Sequence, residues 1–260
     1  MTDLLDRLKS ALPAGYTIER ELGGGGMSRV FVAMDESLGR QVVVKVLPRD
    51  LAAGVSVDRF QREIMLAAAL QHPHIVGVIS AGEVDGLPYF VMPFVQGESL
   101  RRRIELHGPL SPREAIGILR DVARALSYAH ERGIVHRDIK PDNVLLTAGS
   151  ATLADFGVAK ALSSAQSVIS GTPGTLTSVG TSLGTPTYRA PEQVAGDAAT
   201  DHRADIYAFG VMAYEMLAGA PPFHDLPLQA LMAAHIATEP EPLDRRRSDV
   251  PAQLASLVMR

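Results

Sequence analysis

The sequence predicts an α+β fold in two lobes, a small β-rich lobe with one key helix and then a larger, mainly helical lobe. Three features carry that prediction. Residues 16–47 alternate β-branched runs with glycine-rich or polar turns. A single helical pattern, Asp58 to Leu70, interrupts the strands. From Ser111 onward the patterned segments have helical spacing. The character changes near Val95-Gln96-Gly97, which sets the lobes at residues 1–95 and 96–260.

In the first lobe, Ile18, Val30, Val32 and the run from Gln41 to Leu47 read as strands. Between Asp58 and Leu70 the residues Phe60, Ile64 and Ala67 share one helical face, and Glu63 lies on that face among them. A carboxylate on an apolar face requires a partner. Val76–Ser80 and Tyr89–Val95 return to strand character.

In the second lobe, Ser111-Pro112-Arg113-Glu114 is a capping box with proline at the first helical position. Ala115, Leu119, Val122, Leu126 and Ala129 continue an amphipathic helix that closes at Arg132-Gly133. Asp205 to Leu217 is apolar nearly all round, the mark of a helix buried at the centre of a lobe. Further helices are predicted over Leu226–Ala237 and from Val250-Pro251, the latter still running at Arg260, so the lobe reads as C-terminally truncated. Ala161 to Tyr188 holds no charged residue and is crowded with Ser, Thr and Gly; a polar stretch of that length is functional or disordered.

The bulk numbers exclude several classes. With 260 residues there is ample material for a core, and 46% hydrophobic with 21% charged residues is an ordinary globular balance. A formal charge of −4 gives no basic surplus, so no nucleic-acid partner is expected. The runs Arg101–Arg103 and Arg245–Arg247 read as a solvated helix face and a loop. Cysteine is absent, which rules out disulfides and thiolate metal sites. No apolar run approaches membrane-span length and the N-terminus is unlike a signal peptide, so a cytoplasmic domain without membrane contact is expected.

The chemistry concentrates in His136-Arg137-Asp138-Ile139-Lys140-Pro141-Asp142-Asn143, followed twelve residues after Asn143 by Asp155-Phe156-Gly157. An Asp, a Lys and an Asn within six positions, with a second Asp on another short loop, can hold a metal-bound triphosphate and orient an attacking hydroxyl. This element resembles the catalytic loop of the protein kinase family, His-Arg-Asp-x-x-x-x-Asn. Lys140 two places after Asp138 is similar to the Ser/Thr branch. Leu70–Val76 and Gly219–Phe223 resemble its bacterial, eukaryotic-like members. The resemblance runs from about Tyr16 to Arg260 and implies the bilobal protein kinase fold.

What the resemblance implies is specific. Asp138 is the expected base and orienter of the substrate hydroxyl, Lys140 screens charge on the γ-phosphate, and Asn143 and Asp155 hold Mg2+, with Mn2+ as the alternative ion. Leu22, Gly23, Gly25, Ser28 and Val30 form the loop over the ATP phosphates. Ser28 replaces the family's third glycine. A strand following those glycines, rather than a helix, disfavours a dinucleotide fold. Lys45 contacts the phosphates and pairs with Glu63. Val43 stands where Ala is usual over the adenine, Met92 takes the gatekeeper place, Phe94 and Val95 continue the connector, and Leu145 floors the pocket. His136 is assigned to structure.

Gly184–Glu192 resembles the substrate-facing loop with its Ala-Pro-Glu anchor, and Thr185 matches the threonine that contacts the catalytic Asp and Lys. Asp205 matches the residue that holds the catalytic-loop backbone. The Arg that the family pairs with Glu192 has no counterpart in this sequence. Arg137 before Asp138 implies activation by phosphorylation. Of ten Ser/Thr between Ser163 and Ser182, Thr177 and Thr181 are the expected sites, modified in trans within a homodimer. Protein substrates follow from the same resemblance, and it is compatible with a place within a longer membrane-anchored chain. Two alternatives stay open: a pseudokinase-type nucleotide-binding scaffold, against which the retention of Lys45, Glu63, Asp138, Asn143 and Asp155 argues, and a small-molecule kinase, against which Thr185 and Ala-Pro-Glu argue.

Overall fold

The structure is a computed structural model that describes residues 8, 9, 12, 15–23, 28–47, 57–84, 86–156, 186–197 and 199–260, without the side chains of residues 23, 57–61 and 63. Gly25, Thr177, Thr181 and Thr185, and the side chain of Glu63, therefore lie outside the described residues. Two compact units divide the chain. Residues from 1–71 and 76–95 form one; those from 72–75, 96–156 and 184–260 form the other.

The first unit is an antiparallel sheet of five strands in the order β1-β2-β3-β5-β4: β1 Tyr16–Gly23, β2 Arg29–Asp35, β3 Arg40–Val46, β4 Ser80–Val84 and β5 Leu87–Pro93. Helix α1, Val57–Ala68, lies between β3 and β4 in sequence. Alternation decides the faces. Phe31, Ala33, Val42, Val44, Val46, Tyr89 and Val91 point into one cluster, each under 5% exposed. Burying side chains of that size contributes about 1.5–3 kcal/mol each. Val30, Val32, Val43, Lys45, Phe90 and Met92 fall on the opposite face.

One expectation fails here. Val76–Ser80 is not a strand: only Ser80 joins β4, and residues 76–79 run unpaired except where the Ile79 N–H donates to the Val91 carbonyl at 2.7 Å. The true edge strand is Ser-Ala-Gly-Glu-Val, poor in β-branched residues and held in place by β5.

The first strand of the second unit is the short β6, Glu98–Ser99, which pairs with β7, Val144–Thr147, itself paired with β8, Ser150–Leu153. Gly97 leads into β6, and a Cβ there would meet the Leu146 carbonyl oxygen at 2.0 Å, so only glycine fits. The helices are α2 Leu100–His107, α3 Pro112–His130, α4 Pro191–Val194, α5 Arg203–Ala218, α6 Leu228–Ala237, α7 Leu243–Arg246 and α8 Ala252–Val258. Ser111 caps α3 as its capping box predicts, accepting from the Glu114 N–H at 3.3 Å. Helix α5 buries Val211, Met212, Ala213, Met216 and Leu217 and also two acids, Asp205 and Glu215. It stops at Gly219, which takes the left-handed conformation and donates its N–H to the Glu215 carbonyl at 2.8 Å.

Candidate active site

The loop from His136 to Asn143 is held from below by α5. Asp205, 1% exposed, accepts the backbone N–H of His136 at 2.8 Å and of Arg137 at 2.7 Å, and His130 Nε2 lies 2.8 Å from the same carboxylate. His136 is fully buried. Its Nδ1 accepts the Asp138 N–H at 3.2 Å and its Nε2 lies 2.8 Å from the Ala154 carbonyl, contacts met together by the tautomer with its proton on Nε2. The ring also meets Phe156 edge-on, centroids 4.6 Å apart. Thus His136 ties the loop to the segment before Asp155, a structural role.

Beyond Asp138 the chain turns through a 3-10 helix, Pro141–Asn143. Asn143 folds back, donating Nδ2 to the Asp138 carbonyl at 2.7 Å and to the Asp138 carboxylate at 3.1 Å. Lys140 Nζ lies 2.8 Å from Asp138 Oδ2. The carboxylate of Asp138 is therefore aimed by two neighbours and remains a quarter exposed. Asn143 is further joined to the Asp155 segment, its carbonyl accepting the Ala154 N–H at 2.8 Å. With Nδ2 spent on Asp138, the Asn143 amide presents its oxygen, and Asp155, the residue after Ala154, offers a second hard-oxygen donor. Arg137 and Asp155 hold φ of 69° and 68°, a conformation costly for residues with a Cβ and concentrated at working sites. The structure thus brings Asp138, Lys140 and Asn143 into contact and sets Asp155 beside them in the chain path.

The β-rich unit carries the remaining candidates on the sheet face away from its core. Val30 is paired opposite Lys45 and Val43 opposite Met92. Lys45 is half-buried. The Phe94 N–H meets the Gln41 carbonyl at 3.4 Å, keeping the connector on the sheet. Gly23 ends β1 opposite Val30, exposed Leu22 precedes it, and Ser28 leads into β2. Leu145, on β7, belongs to the helical unit.

Several working residues are not signalled by any local spacing. Gln193, the third residue of α4, accepts the Ala190 N–H at 3.0 Å and donates to the Arg137 carbonyl at 3.3 Å, so its amide clamps the Ala-Pro-Glu segment to the catalytic loop. The reading of Arg101–Arg103 as a solvated face is corrected. Arg101 donates to Glu215 at 2.5 Å and to the Tyr188 hydroxyl, and Tyr188 also donates to Glu215. Arg103 pairs with Glu114 at 3.1 Å. Burial first, and then the Glu215 carboxylate, push the Tyr188 phenol well up. Arg245–Arg247 is likewise no plain loop: Arg245 and Arg246 end α7, and Arg247 donates to the Leu110 and Leu217 carbonyls at 2.5 and 3.0 Å.

Comparison with known proteins finds one family and several curated relatives. The protein kinase domain family matches residues 16–258. Serine/threonine-protein kinase PknB of Mycolicibacterium smegmatis is 41% identical over 252 residues, which cover 94% of this chain and 39% of that protein. PknB of Mycobacterium tuberculosis is 38% identical over 257 residues, 96% of this chain and 40% of the relative. Serine/threonine-protein kinase PrkC of Bacillus subtilis is 38% identical over 247 residues, 94% and 37%. The chain therefore spans about two fifths of the length of these curated relatives.

Proposed function

This chain belongs to the protein kinase domain family, and from that membership we propose that it transfers the γ-phosphoryl group of ATP to Ser and Thr side chains of proteins. The observation that carries the reading is the Asp138 carboxylate, held by Asn143 and Lys140 within 3.1 Å on a loop anchored to Asp205. Phosphoryl transfer asks mainly for positioning and charge neutralisation, which this arrangement supplies.

The residues divide the work as follows. Asp138 orients the acceptor hydroxyl and takes its proton as the new O–P bond forms and the bond from the γ-phosphorus to the bridging oxygen breaks. Lys140 offers charge to the group in transfer. The Asn143 amide oxygen and the Asp155 carboxylate would hold Mg2+, with Mn2+ the alternative. That donor set fits an ion that takes one or two carboxylates and completes its shell with phosphate oxygens and water. A bound ion would neutralise phosphate charge. Among the described residues no cluster of three or more His, Cys, Asp or Glu competes for such an ion. On the β-rich unit, Lys45 would hold the α- and β-phosphates, oriented by Glu63. Val30, Val43 and Met92, neighbours on one sheet face, would cover the adenine with Leu22, Gly23, Gly25, Ser28, Phe94 and Val95, and Leu145 would lie below it.

Activation extends the same reading. Arg137 Nε is buried without a hydrogen-bond partner among the described residues, and Nη2 makes only a 3.4 Å contact to the Thr200 carbonyl. The sequence from Ala161 to Tyr188 offers no carboxylate to neutralise it. We assign that role to phosphate placed on Thr177 or Thr181 in trans by a second copy, with Thr185 facing substrate. No helix among the described residues is long and apolar enough to cross a membrane. We place this domain in the cytoplasm, where ATP is supplied, as the intracellular part of a longer chain.

Incubation with Mg2+, γ-labelled ATP and a generic basic protein tests the reading. Label on Ser and Thr, lost in Lys45→Met while the variant stays folded, is the expected result. No label above background with the wild-type chain overturns it.

A further inference from the structure

Arg189 immediately precedes the Ala-Pro-Glu segment and lies between two fixed residues. Tyr188, 6% exposed, is anchored through its hydroxyl to Glu215 and Arg101, and Ala190 is fully buried. The Arg189 N–H itself donates to the Pro186 carbonyl at 3.2 Å. The Gln193 amide then joins the peptide after Arg189 to the peptide before Asp138. The position of Arg189 relative to the catalytic loop is therefore set by the backbone on both sides.

Its guanidinium is half-buried and makes no hydrogen bond or ion pair among the described residues. Burial lowers its pKa, and the opposing charge acting on it is Asp138. Asp138 is already engaged by Lys140 at 2.8 Å and Asn143 at 3.1 Å. The neighbouring sequence from Ala161 to Tyr188 contains no carboxylate. Lys140 thus pairs with Asp138 while Arg189 feels the same carboxylate without bonding to it, and a half-buried cation with no hydrogen bond or ion pair among the described residues is stabilised by an anion that the bound molecule brings.

We propose that Arg189 is a specificity-determining residue that receives an anionic side chain of the acceptor protein, close in sequence to the Ser or Thr being phosphorylated. The inference rests on the kinase reading above and names a substrate class for it. Acceptors with a carboxylate beside the hydroxyl are favoured, and those with a Lys or Arg there are disfavoured by repulsion.

The test compares kcat/KM for a set of Ser/Thr peptides that differ only in one flanking residue, Glu, Gln or Lys, placed in turn on each side of the acceptor. A phosphatase-treated wild-type chain is expected to prefer Glu over Gln by about tenfold at one position, the worth of one charge-assisted contact. In Arg189→Met the Glu-to-Gln ratio falls to about one at that position, whatever the absolute rate, and Arg189→Lys restores part of it. An equal Glu-to-Gln ratio in wild type, or the same ratio in wild type and Arg189→Met, overturns the proposal. The same peptides are run on autophosphorylated enzyme. If phosphorylation abolishes the wild-type preference, the anion on Arg189 is the chain's own phosphate and the proposal is again overturned. Transfer to Gln peptides without acid preference defeats this inference alone; no transfer to any peptide defeats the kinase reading with it.

Discussion

Asp205 accepts the backbone N–H of Arg137 at 2.7 Å, and Arg137 holds a φ of 69° while it does so. The same carboxylate takes the His136 N–H and lies within hydrogen-bonding distance of His130. A buried acid on the central helix therefore supports the strained peptide that presents Asp138. Asp205→Ala leaves buried donors unpaired, each costing about 1–3 kcal/mol. A fall in unfolding free energy of about 3 kcal/mol or more, read from urea denaturation, is expected together with loss of phosphate transfer.

Glu215 makes a second, independent prediction. It is 2% exposed and paired with Arg101 at 2.5 Å. Removing one member of such a pair costs about 3 kcal/mol, whereas replacing both with apolar residues is close to neutral. Arg101→Met and Glu215→Leu should each destabilise, and the double variant should be more stable than the sum of the two predicts. A double-mutant cycle by denaturant unfolding measures that coupling.

His235 makes stability pH-dependent. It is 4% exposed on α6, its Nδ1 lies 2.7 Å from the Tyr207 hydroxyl, and burial lowers its pKa against the opposing Thr187 carbonyl. His72 shifts the same way, by burial first and then by His74, Arg124 and Arg132. A depressed histidine binds its proton more readily when unfolded, so stability is full above about pH 6.5 and falls as pH drops below it. The urea midpoint should fall between pH 7.5 and pH 5, and fall less in His235→Phe.

Asn143 is expected to act twice. Asn143→Ala removes the clamp on Asp138 and one proposed metal donor, so transfer should slow and the Mg2+ concentration for half-maximal rate should rise. Initial rates across a Mg2+ titration separate the two effects.

The fold and the catalytic loop were legible because their signals are local. The β-branched run in Gln41–Leu47, the capping box at Ser111 and the nearly all-apolar helix after Asp205 each fit within a short stretch of chain. The loop from His136 to Asn143 is eight contiguous residues whose types match their chemistry. What escaped is non-local. Arg101 finds Tyr188 87 residues away and Glu215 114 away, and nothing in a triple-arginine run signals either partner. The strand Ser80–Val84 escaped because β5, not its own composition, makes it a strand.

In the proposed reaction Asp138 is the group that orients and deprotonates the acceptor hydroxyl. Single-turnover transfer of labelled γ-phosphoryl from ATP to a peptide, with Asp138→Asn beside the wild-type chain, tests it directly. General-base assistance is worth about 10²–10⁴ in rate, so the variant should slow by that factor while keeping its unfolding midpoint and nucleotide binding. A wild-type rate in Asp138→Asn would rule out that role for Asp138.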